Sequence, residues 1–150
     1  MIPIANPQMG SEERAAVDRV LRSGIIAQGP EVANFEEEFA NMCGVKYAVA
    51  TSNGTTAGHL AMLSNKIGPG DEVITTPFTF FATASVIMMA GAKPVFVDVT
   101  LPDLNLNLDQ VEEALENDPE IKMIAFAHVL GNPPDMDRVM SIVCLLYTSD

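Results

Sequence analysis

Between residues 48 and 60 the chain reads AVATSNGTTAGHL, an apolar strand-like run joined to a helix-like one through small and polar residues. A helix that begins at such a turn leaves its first N–H groups without intrahelical acceptors and carries roughly half a positive charge there. Small side chains at Ser52, Asn53 and Gly54 let an anion approach the backbone, and the hydroxyls of Thr55 and Thr56 add donors. The chemistry on offer is the seating of one phosphate group. A triphosphate loop needs a Lys after its second Gly and a dinucleotide loop needs G-x-G-x-x-G; neither pattern occurs here. The same residues read equally as an ordinary strand-to-helix cap, so a second feature has to separate the two readings.

That feature is Pro77-Phe78-Thr79-Phe80-Phe81-Ala82-Thr83, which follows the next strand-like segment and so opens onto the same edge of a parallel sheet. A flat, charged heterocycle with its phosphate at Gly54 to Thr56 has a ring to stack on here. The competing reading packs at least two of Phe78, Phe80 and Phe81 into the core. His128 ends a later strand on that edge, whereas His59 sits within a helix; a lone His in either place also reads as structural. Asp98, at another strand end, is expected to fix its own loop and is left out of the site.

The elements that must position these residues follow from periodicity. Ser11 is expected to cap a first helix with Glu12 and Glu13 in its opening turn, an apolar face of Ala16, Val17, Val20 and Leu21, and an end at Arg22 and Gly24. A second helix carries Val32, Phe35, Phe39 and Met42 on one side, a solvated Glu36-Glu37-Glu38 run, and a stop at Gly44. Then strands are expected at 47–50, 72–76, 94–99 and 122–127, alternating with helices at 55–65, 79–90, 108–116 and from 136 onward. Strands such as Val95-Phe96-Val97 are apolar on successive residues, which suits a sheet covered on both faces. The class is α/β, with a mostly parallel sheet flanked by helices.

At 150 residues, 48% of them apolar, the chain can bury a real core, and one domain is the default. A net charge of -12 repels nucleic acid and anionic membrane, so neither is expected as a partner. The longest apolar runs fall short of the roughly 20 residues of a bilayer span. The first residues lack the pattern of an export signal, and Cys43 and Cys144 form no disulfide or metal-ligand pattern. A cytoplasmic location is expected, with no metal site.

Taken in order, these residues resemble the DegT/DnrJ/EryC1/StrS family of sugar aminotransferases. The resemblance rests on Gln28-Gly29-Pro30 and the acidic helix after it, Gly44 to Ala50, Ser52-Asn53-Gly54-Thr55, and Gly68-Pro69-Gly70-Asp71-Glu72-Val73-Ile74-Thr75. It continues through Phe78-Thr79-Phe80 with Ala82-Thr83, Gly91 to Asp98, and His128 with Gly131, Asp135, Met136 and Asp137. It implies the aspartate aminotransferase fold and pyridoxal 5'-phosphate (PLP) as cofactor. Carried onto this chain, it places the cofactor phosphate on the backbone of Gly54 and Thr55 with hydroxyls from Thr55 and Thr56, and the pyridine ring on Phe80. His128 becomes a neighbour of cofactor or substrate, and Gln28 a residue of the loop that approaches a partner subunit's site in family dimers. The family commonly has Ser-Gly-Thr where this chain has Asn53-Gly54-Thr55.

The resemblance also says what to look for in vain. The family's ring-nitrogen Asp is expected just past Asp150 and its Schiff-base Lys further on. Lys46, Lys66, Lys93 and Lys122 fall on turns or strand starts, on the edge away from the cofactor, so no catalytic residue is assigned. The chain accordingly reads as the N-terminal portion, residues 1–143, of a PLP-dependent transferase large domain that has been cut short, inactive alone. Residues 144–150 are set apart as a tail that resembles translated adapter DNA rather than native sequence. The implied reaction moves an amino group from a donor such as glutamate to a keto group on a nucleotide-linked sugar, in a homodimer, for polysaccharide or glycosylated-metabolite synthesis. Two rivals stay open: a sugar 3-dehydratase of the same fold, which the segment Ala127 to Pro133 somewhat resembles, and a stand-alone α/β module binding a phosphorylated ligand.

Overall fold

A computed structural model describes residues 5–147 and divides into two compact units, residues 1–50 and 51–150. The opening and closing residues that carried the expectations on a leader and on the end of the tail lie outside the described residues.

The first unit holds two helices, α1 (Ser11–Ser23) and α2 (Pro30–Cys43). The cap of α1 is Gly10, one residue before the expected Ser11, because the Glu13 carboxylate reaches back to accept the Gly10 N–H at 2.6 Å. Gly24 ends the helix at φ 74°, the left-handed conformation that glycine adopts without strain. Pro30 opens α2 from its first turn, where its missing N–H leaves no hydrogen bond unmade, and Gly44 closes it at φ 66°. A two-pronged contact from Arg19 to Glu31 joins the two helices. Their apolar faces form as the spacing predicts, yet Val17, Leu21, Phe35 and Met42 all remain more than half exposed. Glu36 is the exception in the acidic run: half-buried, it accepts the Ala50 N–H at 2.8 Å.

The segment 47–50 is not a strand, against the sequence reading. It has no ladder partner among the described residues, and an apolar run without one satisfies its donors elsewhere, as Ala50 does on Glu36.

The second unit is a three-layer sandwich. After α3 (Gly54–Ser64) come β1 (Glu72–Thr75), α4 (Ala82–Met89), β2 (Lys93–Phe96), α5 (Leu108–Asn117), β3 (Ile121–Ile124) and α6 (Met136–Tyr147). A short 3-10 turn at Val129–Gly131 separates the last two. The strands are parallel in the order β2-β1-β3, with Ile74 level with Val95 and Ile124. Helix α6 takes in residues 144–147.

β1 is central, and alternation along it sends neighbouring side chains into opposite cores. Val73 packs with Met62, Val86 and Ile87 under α3 and α4, while Ile74 packs with Val97, Val111, Val139 and Ile142 under α5 and α6. Both Val73 and Ile74 are wholly buried. The two faces follow from crossover handedness. A right-handed connection from β1 out to β2 places α4 on one side, and the return across β1 to β3 places α5 on the other. Arg138 of α6 grips Glu112 and Asp109 of α5, each at 2.6 Å, which fixes the register of the two outer helices.

Candidate functional site

Strand order reverses around β1, with β2 on one side and β3 on the other, so β1 and β3 flank a topological switch point whose carboxyl end is where open parallel sheets leave a crevice. A cleft of about 350 Å³ lies beside it. Its walls are Gly54, Thr55 and Gly58 from α3, Ala82, Thr83 and Val86 from α4, and Met123 to Phe126 along and just past β3. Gly58 faces Val86 across the two helices, where a Cβ would stand 3.4 Å from Val86 Cγ2, an ordinary contact.

The turn into α3 is built by Asn53. Its Oδ1 accepts the Thr56 N–H at 2.9 Å and lies 3.2 Å from Thr56 Oγ1, and its Nδ2 donates to Ser52 Oγ at 3.2 Å. Ser52 Oγ and Thr56 Oγ1 close the ring at 3.2 Å. The cap reading of this turn is therefore correct for Asn53 and Thr56. The N–H groups of Gly54 and Thr55, by contrast, have no acceptor among the described residues, and those two residues face the cleft. The space where a Gly54 Cβ would go is open to 4 Å and beyond.

The start of α4 faces the same cleft. Its cap residue, Phe81, offers no side-chain acceptor, and Thr83 Oγ1 lies 3.2 Å from Thr79 Oγ1. Two helix N-termini thus converge on one cleft whose lining holds no ionisable side chain. The polar groups it offers are amides, hydroxyls and aligned peptide dipoles, which favour an anion.

The candidates named from the sequence divide as follows. Gly54 and Thr55 line the cleft; Thr56 belongs to the cap ring and does not. Phe80 stands two residues before α4, 70% exposed and outside the lining, with its ring centroid 4.6 Å from that of Phe81. Phe78, Phe80 and Phe81 are all exposed, which corrects the expectation that at least two of them are core: the turn lifts them off the sheet before α4 begins. His128 is exposed just past β3, its ring 5.8 Å from Phe126, and His59 is half-buried on α3; neither imidazole has a hydrogen bond among the described residues. Gln28 is exposed in the α1–α2 loop of the first unit. The Asp98 carboxylate serves its own loop, accepting the Val99 N–H at 2.7 Å, while its backbone N–H donates to Gln110 Oε1 of α5 at 2.7 Å.

Phe126 and Gly58 were not singled out by sequence reading. The available signal for Phe126 was an aromatic residue two places before His128 at a strand end; for Gly58 it was a glycine interrupting a helical pattern.

Known proteins resemble this chain in sequence and fold. A family model, described as the DegT/DnrJ/EryC1/StrS aminotransferase family, matches residues 7–144. The Bacillus subtilis (strain 168) spore coat polysaccharide biosynthesis protein SpsC is 41% identical over 141 residues, 94% of this chain and 36% of that protein. The PLP form of the sugar aminotransferase Spr1654 from Streptococcus pneumoniae superposes with a TM-score of 0.89 at 31% identity, over 94% of this chain and 36% of that one. An aminotransferase from Psychrobacter cryohalolentis superposes at 0.84 with 36% identity, over 97% of this chain and 37% of that one. The chain thus spans about a third of the length of the relatives it matches. With the family model covering all but the ends, the chain belongs to the DegT/DnrJ/EryC1/StrS aminotransferase family.

Proposed function

We infer that this chain supplies the phosphate seat of a PLP-dependent aminotransferase acting on a keto group of a nucleotide-linked sugar. One observation carries the reading: Gly54 and Thr55, whose amides have no acceptor among the described residues, line the cleft between α3 and α4 at the switch point. The residues present fit a phosphate ester. The missing Gly54 side chain leaves the approach open, and the half-buried Thr55 brings a hydroxyl to the same place. When bound, PLP draws electrons away from an attached amine and so allows the amino group to pass from one molecule to another.

This chain's own part is to bind and orient. Gly54 and Thr55 hold the phosphate, and Phe80, with 70% of its surface free, offers a face to the ring. His128 stands on the same edge toward the substrate. In a homodimer Gln28 belongs to the loop that reaches the partner's site. The amino donor is a compound such as glutamate, and the product serves polysaccharide or glycosylated-metabolite synthesis; SpsC is named for spore coat polysaccharide biosynthesis. We place the protein in the cytoplasm, where the exposed Cys43 thiol stays reduced. No helix among the described residues is long and apolar enough to cross a membrane.

The lysine that holds the cofactor covalently is not one of the four here. Lys93 and Lys122 sit at the amino ends of β2 and β3, away from the cleft, bonded to Glu72 and to the Pro119 carbonyl. Lys66 lies in the turn ahead of β1, and Lys46 sits 5.0 Å over the Tyr47 ring in the first unit. The chain by itself is therefore inactive and serves as the N-terminal part, residues 1–143, of a larger domain.

Titrating the purified chain with PLP and following its absorbance tests the reading. Weak binding that inorganic phosphate displaces, with no band from a covalent lysine adduct, is expected. Equal binding of pyridoxal without its phosphate, or indifference to phosphate, would falsify it. In the complete gene, a downstream His in place of the lysine turns the assignment to a dehydratase.

A further inference from the structure

The turn after β3 holds a leucine in a conformation that leucine rarely adopts. Leu130 lies at φ 57°, in the left-handed region that crowds an L side chain, and 91% of its surface is free, so no packing of its own offsets the cost. Such a conformation persists where its surroundings impose it. Within the turn, the Gly131 N–H donates to the His128 carbonyl at 3.0 Å and the Asn132 N–H to the Val129 carbonyl at 3.1 Å. Among the described residues, the hydrogen bond that ties this turn to another part of the chain runs from Asn132 Nδ2 to the Asp103 carbonyl at 3.3 Å.

The receiving loop is held from within. The Asp103 carboxylate accepts from the Thr100 hydroxyl, from the Asn105 N–H at 3.2 Å and from Asn105 Nδ2 at 3.3 Å. Asn105 is buried, its backbone carbonyl accepts the Thr100 N–H at 2.9 Å, and the next residue, Leu106, belongs to the core beneath α5 and α6. Asn132 thus connects an exposed, strained turn to a loop rooted in the core. His128 heads that turn, and its ring lies 5.8 Å from that of Phe126, tilted by 32°, while Phe126 lines the cleft.

We propose that Asn132 is a positioning residue for His128: through the Asp103 carbonyl it braces the turn after β3 and so keeps the imidazole against Phe126 beside the cleft. This rests on the reading above that places His128 next to cofactor or substrate. A side-chain amide suits the task because it donates without carrying charge, whereas a carboxylate of the same shape sets oxygen against oxygen.

Proton NMR of the full chain reads the position of the ring directly. The sequence has two histidines, so the imidazole signals lost in His128→Gln are assigned at once. In the unaltered protein they are expected to be shifted by the Phe126 ring current, with Phe126→Leu giving the unshifted reference. Asn132→Ala and Asn132→Asp, at exposed positions that leave the core intact, are expected to move the signals most of the way to that reference. Asn132→Gln, which keeps the amide donor, is expected to restore them. A purely structural role for Asn132 lowers the melting temperature and leaves the ring shift in place; that result, or full retention of the shift in Asn132→Ala, overturns the proposal. Pyridoxamine 5'-phosphate, which has no aldehyde to react with surface lysines, separates this from the reading beneath it. Its addition is expected to move the His128 signals in the unaltered protein and to move them less in Asn132→Ala. Binding without any response at His128 overturns the placement of His128 beside the ligand, and with it the site role of Asn132, while a ring shift that still depends on Asn132 leaves the brace itself standing.

Discussion

A methyl group added at Gly54 meets no atom within 4 Å, and the residue is helical, so Gly54→Ala should fold with stability unchanged or raised by up to about 1 kcal/mol. The same methyl projects beside the amides that face the cleft. Phosphate and PLP affinity should then fall about tenfold or more, roughly 1.4 kcal/mol, while the melting temperature holds. Calorimetry and a binding titration on one sample separate the two effects. Glu13 offers a pH test at the same scale. Hydrogen bonds from its own amide and from that of Gly10 keep its carboxyl below the ordinary value of 4.5. A depressed folded-state value means the cap is in place above 4.5 and is lost as pH falls through the lower, folded value. Amide exchange at the start of α1 should accelerate across that acid window, and Glu13→Gln should abolish the pH dependence.

Elements succeed or fail here by what lies against them. Helix α3 faces α4 through Gly58, and a Cβ there, 3.4 Å from Val86 Cγ2, makes ordinary contact. Gly58→Ala should therefore stay within about 1 kcal/mol of the parent, its helix propensity offsetting the tighter fit. Gly58→Leu should cost about 1–3 kcal/mol by forcing the helices apart, measured as a lower denaturation midpoint. The run 47–50 shows the converse. It has strand-like residues and no ladder, because a strand is a property of two segments and no described segment pairs with it. Helices α1 and α2 likewise form from their own caps and periodicity and leave their apolar faces bare.

Across the molecule, the three-stranded sheet has β2 and β3 as its edges among the described residues. Edge strands invite pairing with other chains unless something blunts them. β2 carries Lys93 and Pro94, which has no N–H to offer, and β3 carries the exposed Lys122. Lys122→Val should therefore raise the rate of concentration-dependent association, read by light scattering, with little change in secondary structure. A burial change has a different signature. Ile74 is wholly buried in the core beneath α5 and α6, so Ile74→Ala should lower stability by about 2–5 kcal/mol without promoting association of the folded protein.

Local signals were legible without coordinates: the caps at Gly24 and Gly44, the alternation of strands and helices from residue 72 onward, and the turn into α3. Each depends on residues within a few places of one another, and side-chain type and spacing determine those interactions; the family was legible from the order of such local stretches along the chain. Tertiary structure decided the strand order β2-β1-β3, the missing ladder at 47–50 and the exposure of Phe78, Phe80 and Phe81. It also revealed the cleft shared by Gly54 and Phe126, residues far apart in the chain. The division within the turn itself, Thr56 to the cap and Thr55 to the cleft, needed coordinates as well. Two threonines one residue apart offer the same donors, and only the direction each one points tells them apart.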